Sequence, residues 1–327
     1  MGKKSDINYL HGQVEGIYHA VGKGIGESRH LLKRQGIRSE KIHSDSTRRA
    51  YIDDRFHPLV DFAHQRFGIK SVLQLTDEIV GSWIREERIG KHLAASTINV
   101  DVAFVGKLEK MLTNFSRMKG HEKEFSFPSR VTTTREAIRE GINPNAWEGK
   151  GRSYERPLEL IEAIRIEMHQ IMAELQYYGG LRAEGVGAPR DKYSKAQVDL
   201  GNFMGIVLDP FTKDRLVGVI EVTEKGGKTT KHYVPVPVYE RACQYIEING
   251  PIRENYECYL RSINKAAKAT NQSVRGRGDH GLKHNFAEEL VNRGLKHGKT
   301  QETIYAEGAR QCAHARMNIL PKYYLGR

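Results

Sequence analysis

Six residues in the C-terminal half have the types and the order needed to cut a phosphodiester without a metal ion: Arg182, Lys225, His280, Lys283, His314 and Tyr323. Cations can hold the phosphate, a protonated side chain can supply a proton to the departing oxygen, and a hydroxyl can attack phosphorus. Arg182 closes the run Gly179-Gly180-Leu181-Arg182, behind a glycine pair of the kind that stops a helix. A guanidinium held there can grip two phosphate oxygens as a planar fork. Lys225 lies in Glu224-Lys225-Gly226-Gly227-Lys228, which reads as a hairpin turn. Its ammonium can swing against a phosphate and protonate a 5′ oxygen, and Lys228 offers the same group. His280 and Lys283 are three apart, so they share a face at or just before a helix that starts near 282. Tyr323 follows His314 by nine positions, with Tyr324 beside it as a second hydroxyl. Taken singly, each residue has an ordinary reading: a solvated turn lysine, a structural histidine, a tyrosine pair that anchors a helix.

These residues need elements to position them. Ile161, Ile164, Met168, Ile171, Met172 and Leu175 mark the buried face of one long helix that ends at Gly179-Gly180. Three β-type runs follow, 203–208, 216–223 and 231–237, the last two flanking the hairpin turn. Helical patterns resume at about 238–248, 254–270, 283–293 and 300–310. Upstream, residues 46–118 read as a helical bundle. Ser46 or Thr47 caps a helix with the stripe Ile52, Phe56, Val60, Ala63 and Phe67, in which Pro58 sets a kink or a helix start. Thr76 caps a second helix that holds Ile79 and Trp83, and Ser96 begins a third with Val100, Phe104, Leu108, Met111, Leu112 and Phe115 on one side. Residues 119–153 lose the periodicity and carry Gly120, Pro128, Gly141, Pro144, Gly149 and Gly151, the pattern of a linker, with Trp147 as a packing anchor. Residues 1–44 are basic and read either as a solvated arm or as an arm that tracks phosphates.

The 327 residues are 39% hydrophobic and 28% charged, enough to build two cored domains of ordinary globular type. A net charge of +12 favours a polyanionic partner. No run of 18 apolar residues predicts a membrane span, and the start Met1-Gly2-Lys3-Lys4-Ser5-Asp6 has no signal-peptide pattern. Cys243, Cys258 and Cys312 have no zinc or disulfide spacing and are expected to be reduced, as in a cytoplasmic protein. The histidines near 280–284 lack ligand partners at metal spacing, so no metal and no cofactor is expected. Gly22-Lys23-Gly24-Ile25-Gly26 has no strand before it and is not read as a nucleotide fingerprint.

The ordered set of Arg182, Lys225, His280-Gly281-Leu282-Lys283-His284, His314 and Tyr323 resembles the tyrosine recombinase (phage integrase) family over roughly residues 45–327. The resemblance implies an α+β protein: a helical core-binding domain at 45–118, then a mainly helical catalytic domain with a small antiparallel sheet at 154–327, the two clamping duplex DNA. It makes Arg182 the first catalytic arginine, Lys225 (or Lys228) the general acid, His280 a proton shuttle or phosphate partner, His314 a phosphate hydrogen-bond donor, and Tyr323 (or Tyr324) the nucleophile of a 3′-phosphotyrosine intermediate. It implies a homotetramer on two double-stranded DNA sites, a Holliday junction, accessory DNA-bending proteins in some systems, and a cytoplasmic, nucleoid-associated protein of the kind that mobile elements use for integration. Three departures stand out. Lys283 replaces the second catalytic arginine and loses its two-pronged contact, with Arg275, Arg277 and Arg316 as nearby substitutes. Gly185 stands where relatives often carry an acid, and Ala313 replaces the glycine before His314. Hence two other expectations: a weakened or inactive DNA-binding regulator of the same fold, or a type IB topoisomerase-like enzyme.

Overall fold

A computed structural model describes residues 2–27, 29–91, 93, 95–139, 152–190, 194–224, 228–273, 277–312 and 317. The chain divides into two compact units, Met1–Trp147 and Glu148–Arg327.

The first unit is helical. It contains α1 (Gly2–Ile17), α2 (Arg29–Arg34), α3 (Asp45–Arg48), α4 (His57–Phe67), α5 (Asp77–Trp83), α6 (Ala95–Met118) and α7 (Ser129–Arg139). Ser44, rather than Ser46 or Thr47, caps α3 by accepting the Thr47 N–H. The helix then widens into π-type turns over Arg49–Phe56 and re-forms as α4 with Pro58 in its first turn. A proline cannot complete the i−4 hydrogen bond, and the wider turns just before it keep the chain helical up to Pro58. Thr76 caps α5 through the Ile79 N–H, as its position predicts.

The first 44 residues are not a free arm. Leu10, Val14, Ile17 and Tyr18 lie on one face of the N-terminal helix and are buried with Ile52, Phe56, Phe104 and Trp83. That i, i+4, i+7, i+8 stripe was masked by the basic residues around it. Polar contacts fasten it too: His11 meets Asp61 at 2.7 Å, and Gln13 accepts the Val72 N–H at 2.9 Å. The presumed linker is likewise in part structural, because Phe125 and Phe127 are buried in the same core and α7 follows. Phe67 and Val100 of the predicted stripes are exposed instead.

The second unit contains α8 (Pro157–Glu162), α9 (Glu167–Gly179), β1 (Phe203–Leu208), β2 (Leu216–Glu224), β3 (Lys228–Pro235), α10 (Val236–Asn249), α11 (Tyr256–Ala269), α12 (His280–Lys296) and α13 (Gln301–Gln311). The strands form an antiparallel sheet in the order β1-β2-β3. The single helix expected before Arg182 is two helices, because Ile166 takes an extended conformation and restarts the chain as the N-cap of α9. Ile161 and Ile164 remain in the core across the break. Val236 and Pro237 open α10 rather than end a strand, since proline fits the first helical turn. The core gathers α8, α9, the inner sheet face, α10 and α11 around Leu175, Ile220, Val234 and Tyr259. No helix among the described residues is long and apolar enough to cross a membrane.

Candidate functional site

Arg182 is positioned by the stop of α9. Gly180 adopts φ +69 and donates its N–H to Gln176 at 3.0 Å, closing the helix in the left-handed region that glycine tolerates. Leu181 is then buried as an anchor, and Arg182 emerges with its side chain 23% exposed. Its backbone N–H donates to Glu224 Oε1 and its Nη1 to Glu224 Oε2, both at 2.6 Å. Among the described residues no hydrogen bond engages Nε or Nη2, which leaves one edge of the guanidinium for another anion.

Glu224 is buried at the end of β2. Burial pushes its carboxyl up, but the charges of Lys283 and Arg182 outweigh that and hold it below the usual range. Lys283, on the first turn of α12, is fully buried, and its Nζ points to the Cys312 carbonyl oxygen at 3.5 Å, the outer limit of a hydrogen bond. Burial pushes the Lys283 ammonium down, opposed by the negative Glu224. Arg182, Glu224 and Lys283 therefore form one electrostatic cluster, in which the carboxylate and the ammonium are buried and the guanidinium is partly exposed.

His280 opens α12, and its ring meets that of His284 edge-on at 5.4 Å. Burial drives the His280 imidazole down to about 2, with His284 and Lys283 adding to the effect, so it is neutral near pH 7. The start of α12 is braced from below. Asp279 is buried and accepts the Tyr256 hydroxyl at 2.8 Å, and the Tyr154 hydroxyl donates to the Gly278 carbonyl at 2.9 Å. Arg277, a candidate substitute for the missing arginine, donates to the Gln272 carbonyl at 3.2 Å and lies over the Tyr154 ring. Those contacts make it part of the brace.

No family model matches the chain, and no curated protein matches it. Solved structures do. The chain is similar to the "XerH site-specific recombinase bound to palindromic difH substrate: post-cleavage complex", with TM-score 0.55, 14% identity, and 98% of this chain and 91% of that one covered. It is also similar to the pre-cleavage complex of XerH with its difH substrate, with TM-score 0.53, 14% identity, and 97% and 90% covered. This chain has the tyrosine recombinase fold. The expected fold class, a helical first domain and a mainly helical second one with a small antiparallel sheet, is the one observed.

Within that fold Arg182 and Lys283 meet at Glu224, and His280 lies one turn from Lys283. Lys225, His314, Tyr323 and Tyr324 lie outside the described residues, as do Arg275 and Arg316. Lys228 begins β3, opposite Glu224 in the register.

Two further residues at this place, Glu224 and His232, carry no motif in the sequence. Glu224 was read as part of the turn, yet it continues the inward alternation Ile220, Val222, Glu224 along β2, and that period of two was the available signal. His232 pairs with Ile220 across the sheet, so it shares that inward face. Its Nδ1–H donates to the Gly179 carbonyl at 2.8 Å, and its buried Nε2 has no hydrogen-bond partner among the described residues. Burial pushes His232 down to about 4.

One other group has metal-ligand chemistry. In the first unit, single donor atoms of Glu15, Asp53 and His57 lie within 4.8 Å of one another. Arg48 already bonds both carboxylates, at 3.0 Å each, and supplies the positive charge a cation would bring.

Proposed function

We propose that this protein is a site-specific DNA recombinase that cuts and rejoins strands through a 3′-phosphotyrosine. The observation that carries the reading is Arg182, half-presented from a buried Glu224–Lys283 cluster beside a neutral His280, in a chain with the recombinase fold. The guanidinium edge of Arg182 holds a non-bridging oxygen of the scissile phosphate, and Lys283 adds positive potential from behind it. His280, neutral, donates or accepts a hydrogen bond rather than contributing charge. His314 donates to a second phosphate oxygen. The Tyr323 oxygen attacks phosphorus and loses its proton to a basic neighbour. The bond from phosphorus to the 5′ oxygen breaks, and that oxygen takes a proton from Lys225. The phosphotyrosyl bond conserves the energy of the broken ester. The freed 5′ hydroxyl of a partner strand then reverses the attack and releases the tyrosine. Repeated on two sites by four protomers, this gives a Holliday junction and its resolution. The +12 charge supports a duplex DNA partner, with an affinity that falls steeply with salt.

The test is covalent trapping on nicked suicide duplexes drawn from a randomised library. A denaturant-resistant adduct that Tyr323→Phe abolishes and Tyr324→Phe preserves is expected. DNA binding with no adduct from the unaltered protein overturns the reading.

A second reading, a regulator that binds DNA without cutting it, draws on one observation. Lys283 is fully buried and turned toward the Cys312 carbonyl rather than presented to solvent. Under that reading Lys283→Arg restores cleavage to a protein that otherwise only binds.

A further inference from the structure

Glu224 takes no part in the chemistry just described, yet it bonds Arg182 directly and acts on Lys283 through charge. Its side chain is fully buried. A carboxylate in such a place must be matched by donors and charge, or it takes up a proton. Here both oxygens are used by one residue, Oε1 by the Arg182 backbone N–H and Oε2 by its Nη1, each at 2.6 Å. Gripping the main chain and the guanidinium together fixes where the arginine starts and where it points. The space for this grip exists because residue 185 is a glycine. A Cβ added at Gly185 would lie 2.8 Å from Glu224 Oε1 and 3.3 Å from its Cγ. A side chain at 185 and a carboxylate from 224 are therefore alternatives for one volume. Glu224 is also the residue of β2 that precedes Lys225 in the chain, and it pairs with Lys228 across the hairpin.

We propose that Glu224 is the positioning residue of this site, holding the Arg182 guanidinium toward the phosphate. The proposal rests on the recombinase reading for what the positioned groups act on. The grip itself is independent of that reading.

The experiment compares Glu224→Gln, Gly185→Ala and the exchange pair Gly185→Glu with Glu224→Gly in the full chain. Single-turnover adduct formation and affinity for the same duplex are measured separately. Glu224→Gln keeps the shape and removes the charge, and Gly185→Ala displaces the carboxylate without changing it. Each is expected to slow adduct formation about 10- to 100-fold, as for loss of an oriented charged group, while affinity changes less than about threefold. The exchange pair, which returns a carboxylate to the same volume from the other element, is expected to recover at least about tenfold over Glu224→Gln. A merely structural carboxylate would lower both readouts together and would not be rescued. Wild-type cleavage by both single variants, or equal loss of rate and affinity, overturns the proposal. If the unaltered protein forms no adduct, the recombinase reading falls instead. The grip is then judged by urea midpoints of Glu224→Gln, Arg182→Ala and their double variant. Non-additive midpoints support it and additive ones overturn it.

Discussion

Asp101 in the first unit and Glu224 in the second both have side chains wholly removed from solvent and paired with arginine, and the two pairings differ in what they leave open. In the first unit Asp101 is bound by two arginines. Arg55 Nε donates to Oδ1 at 2.6 Å, while Arg88 donates from Nε to Oδ2 at 2.9 Å and from Nη2 to Oδ1 at 3.1 Å. The arginine side chains are 8% and 16% exposed, and Arg88 also lies over the Trp83 ring. Three guanidinium N–H groups converge on this one carboxylate, which ties α6 to the segments that carry Arg55 and Arg88. In the second unit Glu224 has one arginine with a free edge, and its other cationic neighbour, Lys283, touches it only through charge. The first arrangement locks helices together. The second leaves a cation partly exposed, its guanidinium edge open to solvent. The two arrangements differ in how many guanidinium N–H groups converge on the carboxylate, three on Asp101 and one on Glu224, and in how exposed the arginine is.

That contrast can be broken first at Asp101. Asp101→Asn strands two buried guanidinium groups that cannot deprotonate, so a stability loss of about 3–5 kcal/mol is expected. Glu224→Gln strands one partly exposed arginine and one lysine already pushed down by burial, which can shed its proton. Its loss of stability should be clearly smaller. Chemical denaturation followed by hydrogen exchange in each unit separates the two, and equal losses would remove the distinction.

The next effect is on acid stability, and it belongs to the second unit. His232, at about 4, and His280, at about 2, both sit below the ordinary histidine value of about 6.5. Between those values and about 6.5 the unfolded chain binds more protons, so stability rises with pH across that window and levels off above it. Glu224, held low, has the same sign: its contribution is lost as pH falls. The slope per histidine is up to about 1.4 kcal/mol per pH unit. Urea midpoints of the second unit between pH 5 and pH 7.5 should fall steeply on acidification, and His232→Gln should flatten the fall. A pH-independent midpoint would contradict the burial of these imidazoles.

The smallest effect serves as a control. Arg49 and Asp45 form an i, i+4 pair at 3.0 Å with the arginine 60% exposed. Arg49→Ala is expected to cost at most about 0.5 kcal/mol, within the range of exposed helix pairs.

The positions of some candidate residues are legible in the sequence and those of others are not. Arg182 was legible because a glycine pair announces a helix end. His280 and Lys283 were legible because their spacing of three fits one helix face. Glu224 and His232 were not. A carboxylate beside Lys-Gly-Gly-Lys has the composition of a turn, and a histidine in a polar strand gives no sign of burial. The N-terminal helix is hard to see for a related reason: residues 1–44 are basic in composition, while four apolar residues on one face, Leu10, Val14, Ile17 and Tyr18, govern where the helix packs. The long helix before Arg182 was overextended, because the apolar spacing continues across a break that only the backbone at Ile166 reveals.

The sequence by itself determined the periodic elements, the glycine stop before Arg182, the basic balance and the order of the candidate site's residue types. These depend on side-chain period and local backbone preference, which neighbours in the chain set. Only the tertiary structure decided that Glu224 reaches Arg182 across 42 positions, that the space above Gly185 admits it, and that Lys283 and two histidines lie where burial rather than water sets their protonation. Those outcomes depend on which surfaces meet, and no local preference encodes the depth at which a charge will come to rest.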